Sequence, residues 1–263
     1  MDKLKEITLQ VCELAKEVAT YIAEQRKQFD RSNAEIKGTN DLVSYVDKTA
    51  EQQIIKGLST IRPDAAFLTE EGTVEQNLAD YRWIVDPLDG TTNFVHGIPA
   101  FAVSIALEHK GEIVIGVVCE VNRMECFYAW SDGGAFMNGE PIRVSPSKEI
   151  SDGLYLTGLP VKPFEKKQEY LAIISDLMDY THGLRRIGSA AVDCAYVACG
   201  RAEAYFEYNI NAWDIAAGAI LVKEAGGTVS DFSGGNNYLF GRQIVVAGAV
   251  HSQLLNVIQK FWD

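Results

Sequence analysis

Leu4, Ile7, Val11, Leu14, Val18 and Ile22 recur at intervals of three and four with charged residues between them, which predicts one long amphipathic helix at the start of the chain. A polar stretch, AEIKGTND, follows as a loop, and a second helix is expected from about Asp47 to Leu58. Trp83, Ile84 and Val85 read as a strand covered on both faces, because three consecutive large apolar residues leave no side for solvent. FAVSIALEH and EIVIGVVCEV read as strands flanking the turn residues Lys110 and Gly111, and MECFYAW is a further strand leading to SDGG. This half reads as helices packed on an antiparallel-rich sheet.

The second half changes rhythm. LYLTGL, HGLRRI, AEAYFE, GTVSDF and QIVVAG read as strands, alternating with helical patterns in EKKQEYLAIISDLMDY, SAAVDCAYVACG, WDIAAGAILVKEAG and HSQLLNVIQKFW. Alternation of this kind predicts an α/β arrangement of helix and sheet layers. A polar stretch from Pro146 to Asp152 divides the chain into an N-terminal α+β half, 1–148, and a C-terminal α/β half, 149–263, within one compact unit.

The 263 residues carry a formal charge of −12, from 36 acidic and 24 basic side chains, which argues against a general affinity for nucleic acid or an anionic membrane. No apolar run approaches the roughly 18 residues of a membrane span. The charges spread through the first helix do not fit a secretory signal. Five cysteines with no CxxC pair argue for reduced thiols in the cytoplasm, each a small core residue.

The candidate chemistry lies in acids. Trp83-Ile84-Val85 runs into Asp86 and Asp89, two carboxylates that repel each other at the end of a buried strand. DPLDG has a plain reading as an acidic surface turn. Its strand is too hydrophobic for that, however, and acids just beyond the carboxyl end of a buried strand lie where α/β proteins place ligands. A divalent cation is the simplest neutraliser, and Mg²⁺ suits one or two carboxylates plus water and phosphate oxygens. The four histidines are scattered, and no His/Cys spacing fits zinc. Glu70, in FLTEEG, and Asp214, in NAWDIAAG, have similar settings, although singly they read as a solvated turn and a helix N-cap.

TEEG, DPLDGTTNF and WDIAAG, in this order and spacing, resemble the inositol monophosphatase family of lithium-sensitive, magnesium-dependent phosphomonoesterases. The resemblance runs from Asp47 to the helix after Trp213. It implies an αβαβα five-layer sandwich with the active site between its halves, and hydrolysis of a phosphate monoester. It further implies two or three Mg²⁺ ions held by Glu70, Asp86, the carbonyl of Leu88, Asp89 and Asp214. Asp47 and Thr91 match the pair that orients the attacking water, with Glu70 beside them. Gly90, Thr91 and Thr92 would face a phosphate oxygen, Gly188, Ser189 and Ala190 match a pocket-lining stretch, and Glu207 matches an acid that bonds substrate hydroxyls. The polar loop around Lys37 to Asn40 is expected to close over the site and help hold a third ion. A homodimer is implied by analogy.

Relatives with this pattern also hydrolyse fructose 1,6-bisphosphate, the 2′-phosphate of NADP or 3′-phosphoadenosine compounds. Arg185 and Arg186 stand where many inositol-selective members have a single arginine, so one reading has the extra cation accommodating a second anionic group; pairing with a surface acid is the other. Asn209, Asn211 and Ala212 also depart from the family's expected residues. Two rival functions fit less well. Aspartate-nucleophile phosphatases space their acids by two, not three, and a non-catalytic metal-binding regulator has no need of Asp47, Thr91 and Glu70 together. GxGxxG and GxxxxGK[ST] do not occur.

Overall fold

The computed structural model describes residues 2–38, 41–75, 79–160 and 164–262. The first periodic stretch forms helix α1 (Asp2–Gln28), followed by β1 (Glu35–Gly38), β2 (Asp41–Val43) and α2 (Tyr45–Ile61). The stretch expected as a loop is thus an antiparallel ribbon of β1 and β2. Thr39 and Asn40, within the segment expected to close over the site, lie outside the described residues. Helix α2 starts before Asp47 because Ser44 caps it. The Ser44 hydroxyl accepts from the amide of Val46 at 3.1 Å, and Asp47 Oδ2 accepts from the Ser44 amide at 2.8 Å, a reciprocal capping box.

Next come β3 (Ala66–Thr69), β4 (Tyr81–Asp89), the short helix α3 (Thr91–His96), β5 (Ala102–His109), β6 (Glu112–Glu120), β7 (Glu125–Trp130), β8 (Gly134–Met137) and β9 (Glu140–Ile142). These strands form a seven-stranded sheet in sequence order, parallel only between β3 and β4. Lys110 (φ 52°) and Gly111 (φ 89°) close the β5–β6 hairpin with the two positive φ angles that match strand twist.

The remaining elements are β10 (Leu154–Thr157), α4 (Lys167–Met178), β11 (Gly183–Arg185), α5 (Ala190–Ala198), β12 (Ala204–Tyr208), α6 (Ala212–Glu224), β13 (Thr228–Ser230), β14 (Gln243–Ala247) and α7 (His251–Gln259). The second sheet has the order β11-β10-β12-β14-β13. Strand β10 is parallel to both neighbours, while β14 is antiparallel to β12 and β13.

Side-chain alternation assigns the layers. Trp83 and Val85 point into an apolar cluster with α1 and α2, while Ile84 points the other way, into a cluster with α5 and α6. In the second sheet Leu156, Tyr205, Ile244 and Val246 face α5 and α6, and Tyr155, Ala204, Phe206 and Val245 face α4 and α7. Both sheets are therefore covered on both faces, which is why their strands read as continuous apolar runs. The result is a five-layer αβαβα sandwich with α5 and α6 at its centre. Among the described residues no helix is long and apolar enough to cross a membrane.

Candidate active site

The site begins with a defect in a strand. Asp86 pairs with Ser104 and Asp89 with Ala102, so three steps along β4 oppose two along β5. In a regular strand residues three apart point to opposite faces. The extra residue of this bulge, at Pro87-Leu88 where proline has no amide to donate, turns both aspartates to one side. Strand β3 is parallel to β4, so Glu70, just beyond its end, reaches the same edge. The Glu70 amide extends that pairing by donating to the Val85 carbonyl at 3.2 Å.

Asp214 comes from the first turn of α6. Its Oδ2 accepts from the Asn211 amide at 2.8 Å, the N-cap role its position suggests. Ligand oxygens of Asp86, Asp89 and Asp214 lie within 4.8 Å of one another. Each of these carboxylates also has one oxygen tied by the protein. The Leu88 amide donates to Asp86 Oδ1 at 2.9 Å, and the Ser189 hydroxyl and Ala191 amide both donate to Asp89 Oδ2 at 2.7 Å. These bonds fix the carboxylates in place while one oxygen of each lies within the shared cluster. Nearby, Thr91 Oγ1 lies 2.9 Å from Asp47 Oδ1 and 3.1 Å from the Leu88 carbonyl. Asp47 thus holds α2's cap with one oxygen and Thr91 with the other.

The electrostatics match an acid cluster without a counter-ion. Burial pushes the carboxyl of Asp86 well above the ordinary range, and the charges of Glu70, Asp89 and Asp214 push it further. Burial raises Asp214 to about 8 and Glu207 to about 7. Asp89 is raised less, to about 6, because burial is offset by its bonds from Ser189 and Ala191. Asp47 is raised by burial as well. An all-oxygen, strongly acidic donor set fits a small hard cation.

Of these acids Glu70, Asp89, Glu207 and Asp214 line a cleft of about 580 Å³ between the halves, together with Arg186, Gly188, Ser189 and Ala190; Asp86 and Asp47 lie outside that lining. Glu207 is held by the Tyr205 hydroxyl, and a side chain at Gly158 would overlap its carboxylate. Asn93 ties the two sides of the cleft, its Nδ2 lying 2.7 Å from the Ala100 carbonyl and 2.9 Å from that of Ile187. Gly90 (φ 94°) adopts a left-handed conformation open to glycine as it turns the chain into α3. Asn209 and Asn211 line the cleft, and Ala212 is buried behind it.

Two expected residues have side chains directed away from the cleft, which for Thr92 leaves its backbone amide as the group in question. Thr92 is exposed on the outer side of α3. Arg185 is exposed on edge strand β11, its guanidinium donating to the Leu184 carbonyl at 2.9 Å, so Arg186 alone of that pair lines the cleft. The structure adds Asp193 and Arg242 to the lining. Asp193 is 1% exposed, and its Oδ1 has no hydrogen-bond partner among the described residues. In sequence it is one acid in the apolar helix AAVDCAYVA, which periodicity assigns to the core, and Arg242 sits in an unpatterned loop at φ 60°.

A helix-and-sheet sandwich with acids gathered at the carboxyl edge of its larger sheet defines a class of layered α/β proteins built to hold cations. The profile of the Inositol monophosphatase family matches residues 3–263, and the chain belongs to that family. It is a phosphoric monoester hydrolase. The chain is 45% identical over 227 residues to the inositol-1-monophosphatase of Mesorhizobium japonicum, covering 86% of this chain and 85% of that protein. It is 40% identical over 252 residues to the Nus factor SuhB of Escherichia coli K12, covering 95% and 94%. The crystal structure of the extragenic suppressor protein suhB from Bartonella henselae superposes with a TM-score of 0.91 at 38% identity, covering 97% of this chain and 99% of that one.

Proposed function

We propose that the protein hydrolyses inositol monophosphate or a related polyol phosphate by direct attack of water, with Mg²⁺ as the required cation. The observation that carries this reading is the convergence of Asp86, Asp89 and Asp214 within 4.8 Å, beside a Thr91 hydroxyl held by Asp47. Glu70, Asp86, the carbonyl of Leu88, Asp89 and Asp214 would hold the ions, two or three in number. Bound there, Mg²⁺ lowers the pKa of a water and offsets the charge of the phosphoryl group. Thr91 and Glu70 orient the attacking water, and Asp47 fixes the direction of the Thr91 hydroxyl. The backbone of Gly90 to Thr92 faces a phosphate oxygen. Gly188, Ser189, Ala190 and Glu207 position the polyol.

The charge of the cleft supports a polyol over a second phosphate. Of the two arginines lining the cleft, Arg186 acts electrostatically on Asp89, Asp193 and Glu207, so its positive charge is shared among acids already in the wall. NADP and fructose 1,6-bisphosphate would each bring a further anion to that wall. Phosphate release from inositol 1-phosphate, NADP and fructose 1,6-bisphosphate, with and without Mg²⁺, tests both parts. Inositol 1-phosphate should give the highest kcat/KM, and only with Mg²⁺. A preference for NADP or the bisphosphate that Arg186→Ala abolishes would replace the polyol by a doubly anionic substrate. Absence of Mg²⁺-dependent release from every ester would remove the whole reading.

Li⁺ should inhibit by taking a Mg²⁺ position, and a flat lithium titration would count against that. Inversion at phosphorus is expected, whereas retention would indicate a phospho-aspartate. A cytoplasmic homodimer completes the proposal, on the family analogy and on five cysteines that are all unpaired.

A further inference from the structure

Glu51 lies one helical turn after Asp47 on α2, is fully buried, and is not itself part of the cleft lining. Three hydrogen bonds run to it from a single turn of chain. The Glu71 amide donates to Oε2 at 2.8 Å, the Thr73 amide to Oε1 at 2.8 Å, and the Thr73 hydroxyl to Oε1 at 2.6 Å. Between them Gly72 takes φ 62°, a turn that strand pairing does not fix. Glu70 is therefore held on both sides: its own amide bonds Val85 in the sheet, and the next amide bonds Glu51 on the helix. Asp47 and Glu51, four residues apart on one helix face, grip the two separate loops that carry Thr91 and Glu70.

We propose that Glu51 is a positioning residue that sets the Glu70 carboxylate for cation binding. This rests on the reading of Glu70 as a metal ligand given above. Loss of a residue that orients a metal ligand typically weakens metal affinity by roughly 10–100-fold. Glutamine cannot replace Glu51, because both oxygens accept and an amide nitrogen cannot. Whichever way the amide faces, either Glu71 or Thr73 meets a donor instead of an acceptor.

Glu51→Gln should raise the Mg²⁺ concentration for half-maximal activity by about tenfold, leaving KM for the phosphate ester at saturating Mg²⁺ within about twofold of wild type. In the metal-free protein, amide exchange should quicken at Glu71 and Thr73 while the amides of β4 and β5 stay protected. Thr73→Val, which loses one of the three bonds, should shift the Mg²⁺ dependence the same way by less, and Thr73→Ser should leave it unchanged. Thr73→Val supplies the test if Glu51→Gln does not fold. Glu70→Gln separates the two ideas. If it raises the Mg²⁺ requirement and the Glu51 and Thr73 variants do not, the positioning role is wrong and the metal site stands. If Glu70→Gln changes nothing, Glu70 is not a ligand and both readings fall. Unchanged exchange at Glu71 and Thr73 in Glu51→Gln also overturns the inference.

Discussion

Asp89 shows how one side chain can be both structural and chemical. Ser189 and Ala191 fix Oδ2, while the carboxylate also takes part in the acid cluster with Asp86 and Asp214. Asparagine can keep its carbonyl oxygen toward Ser189 and Ala191, but then presents an amide to the cation. Asp89→Asn should therefore lower Mg²⁺-dependent phosphate release by about 10²-fold or more. Without metal its thermal midpoint should hold or rise, because one charge of a repelling cluster is gone. Normal turnover in this variant would show that Asp89 holds no ion. Asp86, Asp89, Glu70 and Asp214 were legible as acids because each breaks an apolar run at a turn or helix start. What brings Asp86 and Asp89 to one face was not, since the bulge depends on the partner strand β5, distant in sequence. Glu51 was hidden for a related reason, since an acid in an amphipathic helix reads as exposed until its neighbours are known, and Asp193 because its helix reads throughout as core.

The element that places Asp214 is α6, nearly apolar on every side and packed against β4, β5, β6 and β7 on one flank and α5 on another. Its approach to the larger sheet depends on Gly116 of β6, where a Cβ would overlap Ile220 and the Ala217 carbonyl. Gly116→Val should therefore push α6 off the sheet and cost about 2–3 kcal/mol, read as a lower thermal midpoint. It should also raise the Mg²⁺ requirement, because Asp214 moves with the helix. An unchanged midpoint would mean the layers can part there without loss. The helices and central strands were readable from period alone, since burial on both faces writes itself as continuous apolar sequence. The β1–β2 ribbon was not, because short polar strands lack an apolar stripe and resemble a loop. The start of α2 was missed by two residues because the capping box begins at Ser44, ahead of the first apolar position.

At the scale of the whole molecule, these acids tie stability to pH and to metal together. Folding raises the pKa of Asp89 to about 6, of Glu207 to about 7 and of Asp214 to about 8, from ordinary values of 3.8, 4.5 and 3.8. The folded state then binds more protons than the unfolded chain across that range, so stability falls as pH rises. Their contribution is full below about pH 4 and is lost through pH 6 to 8, as each group must ionise among its neighbours. Glu125 and Asp176, held down by Arg201 and Lys260, act in the opposite sense but only in more acidic solution. His251, lowered by burial, opposes the trend near pH 6 as a single group. Without metal, the thermal midpoint should thus decline from pH 5 to pH 8.5. Mg²⁺ competes with those same protons for the carboxylates, so its stabilising effect should grow over the same interval. Melting curves at a series of pH values, with chelator and with saturating Mg²⁺, should diverge toward alkaline pH. Parallel curves would mean that the acids which set the pH dependence are not the ones that take the ion.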